Sequence, residues 1–119
     1  MDDNTTIGDL KRTVKKFCDE RDWDQYHTPK EMAIALSVEA GELLGHFQWK
    51  SDSEVDAMMS SPLRKEIEDE LWDCIYTIIR LSQRCDIDLS TAMERKMAEN
   101  AKNYPADKAK GKHTKYTEY

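Results

Sequence analysis

With only three prolines and four glycines in 119 residues, the chain is short of the punctuation that turn-rich β folds need. No stretch shows the alternation of β-branched and polar residues that marks a half-buried strand. Both absences point to helices, and the expected fold class is all-α. Cysteines number three, Cys18, Cys74 and Cys85, with no CxxC pair, and an odd, scattered set makes no disulfide framework. Cys74 stands in an apolar run and reads as a small core residue, and the set as a whole suits a reducing compartment. The opening MDDNTTIGDL has neither the basic nor the apolar segment of a secretory leader. No apolar stretch approaches the roughly 20 residues of a membrane helix. A cytoplasmic protein with no membrane partner is therefore expected. Positive charge is also scarce: 18 Lys and Arg against 24 Asp and Glu leave −6, which argues against nucleic acid as a partner.

What is present fits one domain over 1–119 with a modest core. A first helix is expected from about Ile7 to Arg21, with Leu10, Val14 and Phe17 on one stripe, followed by a loop, DWDQYHTP. Thr28, Pro29 and Glu31 carry the punctuation of a capping box, opening a helix to about Trp49. SDSEVDAMMSSP is polar and broken, with room for one short helical turn. Ser61 and Pro62 then start a third helix to about Arg84, and a fourth runs from about Ser90 to Asn103, stopping before Pro105. Residues 105–119 form a basic, flexible tail. The third helix is apolar on nearly all sides between Leu71 and Leu81, which predicts burial against more than one neighbour, including a second copy of the chain.

Acidic residues interrupt the packing surfaces of two of these helices. In VEAGELLGHFQW, Glu39 and Glu42 are three apart and share one side of a helix. In EIEDELWDCIYTIIRL, Glu70 and Asp73 repeat the spacing. Glu66, Glu70, Asp73 and Thr77 fall in a strip roughly 60° wide at about 100° per residue. A carboxylate among Leu71, Trp72, Cys74 and Ile75 costs several kcal/mol without a partner. Arg80 is two turns from Asp73, out of easy reach, and is expected to pair across the bundle. A shared divalent cation is the other solution, and Mg²⁺, which takes oxygen ligands and bridges to phosphates, suits two facing acidic pairs.

The order E39-x2-E42, a gap of 27 residues, then E70-x2-D73 resembles the all-α nucleoside triphosphate pyrophosphohydrolases of the MazG-like family. ERDWDQYHTPKEMAIALSVEAGELLGHFQWK, DELWDCIY, KMAEN-x3-YP and the terminal KYTEY are similar to its dCTP pyrophosphatase branch. The resemblance, over roughly residues 9–119, implies a four-helix-bundle-like fold in a homodimer or homotetramer. It implies Mg²⁺ as cofactor and Glu39, Glu42, Glu70 and Asp73 as the residues that hold it and carry catalysis. The implied reaction splits a (d)NTP, dCTP or a modified pyrimidine nucleotide, into a monophosphate and pyrophosphate, cleaning the nucleotide pool. Mg²⁺ would offset the repulsion between carboxylates and polyphosphate and acidify a bound water, with one of the glutamates orienting or deprotonating it.

The resemblance also places residues around the substrate. Trp23, Asp24, Gln25, Tyr26, His27 and Trp49 lie around base and sugar, where indole stacking holds a flat ring. Thr77, Lys96, Asn100, Tyr104, Lys115 and Tyr116 match further substrate positions, the lysines toward the outer phosphates. The tail is expected to close over bound ligand. Two positions depart from the branch: Val14 stands where it has a histidine, and Thr77 where it has a tyrosine. Tyr76 is displaced by one residue, about 100° of rotation, and is not expected to substitute. Both departures bear on cytosine preference and leave the metal site intact. Two other classes compete: a helical interaction module whose acidic pairs bind partner arginines, and a di-iron carboxylate bundle. The second needs Glu-x-x-His, which the chain lacks.

Overall fold

Thr6 starts α1 (Ile7–Asp19) with a reciprocal cap. Its hydroxyl accepts the Asp9 amide at 3.0 Å while the Asp9 carboxylate accepts the Thr6 amide at 2.9 Å. The α1 helix buries Val14 and Cys18, leaving Phe17 of the expected stripe 40% exposed. Its end is a Schellman motif: Trp23 N–H reaches the Cys18 carbonyl at 3.1 Å, Asp22 N–H reaches that of Asp19 at 3.1 Å, and Asp22 takes the left-handed conformation at φ 53°. The apolar contact that accompanies such a motif is Phe17 against Trp23, ring centroids 5.5 Å apart and edge to face.

This computed structural model describes residues 1–119, in two compact units, 1–86 and 87–119. In the first, α2 (Pro29–Phe47) begins where expected: Thr28 Oγ1 accepts the Glu31 amide at 3.3 Å and Pro29 takes the first helical position. The stretch assigned one short turn is a full helix, α3 (Asp52–Met59), capped by Ser51, whose hydroxyl accepts the Glu54 amide at 3.2 Å. Two acidic residues in its first turn face the positive end of the helix dipole, a signal hidden by the low hydrophobicity of DSEVDAMM. The longest helix, α4 (Leu63–Arg84), packs most extensively on α2 and also receives α1 and α3.

The buried apolar set is small: Val14, Cys18, Met32, Met58, Ile67 and Ile79. Burial of the apolar run on α4 is not completed within one chain. Leu71 (49%), Ile75 (42%) and Ile78 (39%) remain exposed on α4, as do Ile34 (50%) and Val38 (54%) on α2. The α1, α2 and α3 helices cover other sides of α4 and leave this one bare, whereas Thr77, Arg80 and Ser82 are buried. No helix is long and apolar enough to cross a membrane.

The second unit holds α5 (Leu89–Asn103), which starts at the Asp88 cap, and a single turn, α6 (Ala106–Ala109). In the stretch 105–119, Tyr104 receives Tyr116 and Tyr119 edge to face at 5.4 and 6.0 Å, so the C-terminal residues fold back onto the end of α5.

Candidate active site

Packed against each other, α2 and α4 bring acidic residues of both together. Carboxylate oxygens of Glu39, Glu70 and Asp73 all lie within 4.8 Å of one another. Glu39 Oε2 and Glu70 Oε2 are buried and hydrogen-bond to nothing. Burying two carboxylate oxygens without a hydrogen-bond partner is costly. Burial, then a hydrogen bond and charge from Glu42, then Asp73 and Glu70, push the Glu39 carboxyl up to about 7. Glu42, one turn along α2 and exposed, stands outside the three converging oxygens. The Cys74 thiol is raised as well, by burial and then by Glu39, Glu70 and Asp73.

The donor set is oxygen only, which selects hard divalent cations over zinc or copper. Together with the orphaned oxygens, it fits a cation held by Glu39, Glu70 and Asp73. His46 borders the cluster, with Nε2 3.9 Å from Glu70 Oε1 and Nδ1 3.9 Å from Glu66 Oε2, both longer than hydrogen bonds.

Asp73 is also part of a second feature, a hollow of about 340 Å³ between α1, the Trp23 turn and α4. Thr13, Val14 and Phe17 form its α1 wall, and Trp72 and Tyr76 its α4 wall, with Trp23 closing one side. Its lining is largely apolar. The Tyr76 hydroxyl is engaged by Cys18 Sγ at 3.2 Å, and burial holds that phenol well above its usual value. Tyr76 therefore lines the hollow, with its hydroxyl turned to Cys18. The α4 helix presents residues 72, 73 and 76 together, an i, i+1, i+4 face. Thr77 is buried, and its hydroxyl donates to the Cys74 carbonyl at 2.8 Å.

The remaining residues expected around the substrate fall in both units. Asp24 and His27 are tied to arginines of α4, described below. Gln25 donates to the Asp22 carbonyl at 3.1 Å, and Tyr26 is 65% exposed. Trp49 is 92% exposed and has φ 67°, a left-handed backbone unusual for so bulky a residue. Lys96, Asn100, Tyr104, Lys115 and Tyr116 belong to the second unit. There Lys96 pairs with Glu99 at 3.3 Å and Asn100 contacts Met97 sulfur at 4.0 Å. Sequence reading placed Arg80 only as pairing across the bundle, and did not connect it to Asp24 and His27. It also missed the hollow's Thr13, Phe17 and Trp72. Their signal was the i, i+4 spacing of residues 13 and 17 on α1.

A helical protein in which two packed helices face acidic pairs across a cation-sized gap, with an apolar hollow sharing one carboxylate, defines a narrow class. The MazG-like family profile matches residues 34–119. The chain is 40% identical over 114 residues to dCTP pyrophosphatase 1 of Homo sapiens, covering 95% of this chain and 67% of that protein, and 39% identical to the Mus musculus protein over the same shares. A pyrophosphatase of Archaeoglobus fulgidus, known from a crystal structure, superposes with a TM-score of 0.77 at 34% identity, over 83% of this chain and 92% of that one. This chain belongs to the MazG-like family.

Proposed function

We propose that the protein is an Mg²⁺-dependent nucleoside triphosphate pyrophosphohydrolase. It cleaves dCTP or a modified pyrimidine (d)NTP between the α and β phosphates, giving monophosphate and pyrophosphate, as a pool-cleaning enzyme of the cytoplasm. The observation that carries the reading is the pair of buried, unpartnered oxygens on Glu39 and Glu70 beside Asp73. The pyrophosphatases it resembles supply the reaction class and the cytosine base.

Glu39, Glu70 and Asp73 would hold the cation, which when bound offsets the charge of the polyphosphate and acidifies water. Glu42, which is not among the converging three, would be left to orient the attacking water or take its proton. The hollow would hold the base between Trp23 and the α4 wall, with Asp73 joining it to the cation cluster. With Val14 at one wall and the Tyr76 hydroxyl engaged by Cys18, selection there rests on shape and stacking more than on hydrogen bonds. A strained Trp49 with a free ring suits a second stacking surface.

Purified protein with Mg²⁺ and a panel of natural and modified (d)NTPs is expected to release pyrophosphate, fastest from cytosine nucleotides. Orthophosphate alone, or no product from any nucleotide, would overturn the assignment.

The bare stripes on α2 and α4 favour a homodimer or homotetramer with a second copy covering them. Ile75→Asp puts a charge into that contact and is expected to shift the species seen by light scattering to a single chain. A wild-type protein that is already a single chain at micromolar concentration would remove the assembly from the reading.

A further inference from the structure

Arg80 is one of three buried polar residues in the chain, 2% exposed, and the cation cluster does not use it. A guanidinium withdrawn from water costs several kcal/mol unless its donors are satisfied, and an apolar side chain of similar size would fill the same space without that cost. All its recorded partners lie on the Trp23 turn or one turn along α4. Its Nε–H donates to His27 Nδ1 at 2.9 Å, one terminal nitrogen donates to the Asp24 carboxylate, and the other reaches Gln83 Oε1 at 3.3 Å. Arg84 repeats the grip from the rim: its Nε–H donates to the His27 carbonyl at 3.0 Å and its Nη1 lies 3.3 Å from Asp24 Oδ2. Gln83 in turn donates to the Lys11 carbonyl at 2.6 Å, tying α1 to the same point on α4.

The residue this grip encloses is Trp23. His27 lies edge to face against it at 5.6 Å, and the amides of Tyr26 and His27 both donate to its carbonyl, at 2.9 and 3.0 Å. On its other side are Phe17 and the Schellman turn. We propose that Arg80, supported by Arg84, is a positioning residue for nucleotide binding: by clamping Asp24 and His27 it holds Trp23 as a wall of the hollow beside Asp73. The inference rests on the nucleotide reading of that hollow. Asp24 and His27 then act on substrate through Trp23, the Asp24 carboxylate and His27 Nδ1 being held by the arginines. The fork geometry of arginine is what lets one side chain hold two residues of the turn at once, and a lysine at 80 supplies only a point charge.

The test compares Arg80→Met, Arg80→Lys and Arg84→Gln with wild type by two readouts. Hydrogen exchange of residues 22–28 reports the clamp without any nucleotide. Exchange there is expected to rise at least about 10-fold in Arg80→Met and less in the other two, with α2 and the centre of α4 still protected. Steady-state kinetics is expected to show KM up about 10-fold in Arg80→Met, and about 3-fold in Arg80→Lys and Arg84→Gln, with kcat changed less than about 2-fold. If Arg80→Met does not fold, Arg84→Gln, at a half-exposed position, decides. Unchanged exchange at 22–28 in the folded variants overturns the clamp, and so does a fall in kcat at constant KM. Should the wild-type protein release no pyrophosphate, the nucleotide reading fails, while the exchange measurement still decides whether Arg80 holds the turn.

Discussion

Asp73→Asn is expected to lower kcat/KM by roughly 10³-fold, about 4 kcal/mol of transition-state stabilisation at 1.36 kcal/mol per decade. Asp73 is the one acidic residue shared by the cation cluster and the hollow, so the change removes a charged ligand and disturbs the junction between base and phosphates. Glu39→Gln should cost activity to a similar degree for the first reason only. The two differ in what they do to the protein without cation. Glu39 there carries an orphaned, buried oxygen among three other carboxylates, and a neutral amide in its place relieves repulsion. Glu39→Gln is therefore expected to raise the cation-free Tm by a few degrees while abolishing the rise that Mg²⁺ gives the wild type. Calorimetry with and without Mg²⁺ measures both. An unchanged kcat/KM in either variant would remove these carboxylates from the reaction.

The second large effect is a coupling between pH, cation and stability. With the Glu39 carboxyl raised from 4.5 to about 7 in the folded, cation-free protein, folding takes up a proton between those values. The associated stability is fully present below 4.5 and is lost as pH rises through 7, so cation-free protein should become less stable toward pH 8. A bound divalent cation reverses the slope, because it stabilises the ionised cluster: cation affinity should increase up to about pH 7 and level off above it. Near pH 6, binding should release close to one proton, measurable by titration calorimetry in buffers of different ionisation enthalpy. Glu39→Gln should abolish the release. A wild-type affinity independent of pH between 5.5 and 8 would show that Glu39 is already ionised without the cation.

The parts of this structure that were legible in sequence are those written in local periodicity and capping. Thr28, Pro29 and Glu31 start α2 where expected, and the two E-x-x-[ED] spacings pointed to the cluster of Glu39, Glu70 and Asp73, although Glu42 of the first pair stands outside it. The α3 helix was missed because its stability comes from a Ser cap and first-turn acids, not from an apolar stripe. The end of α1 was also hidden: the left-handed position at its terminus holds Asp22, where a glycine would have announced it. The partners of Tyr76 and Arg80 were not legible for a related reason. Their partners, Cys18, Asp24 and His27, are more than 50 positions away in the chain, and no local pattern records such pairings.

The hollow and the cation cluster meet at Asp73, yet one wall of the hollow comes from α1, which contributes no acidic residue to the cluster. On the proposed reading, substitutions at Thr13, Val14 and Phe17 would redraw the outline of the base that fits while leaving the acidic cluster untouched. Choice of substrate would then be free to drift on one helix while the chemistry stayed fixed on two others.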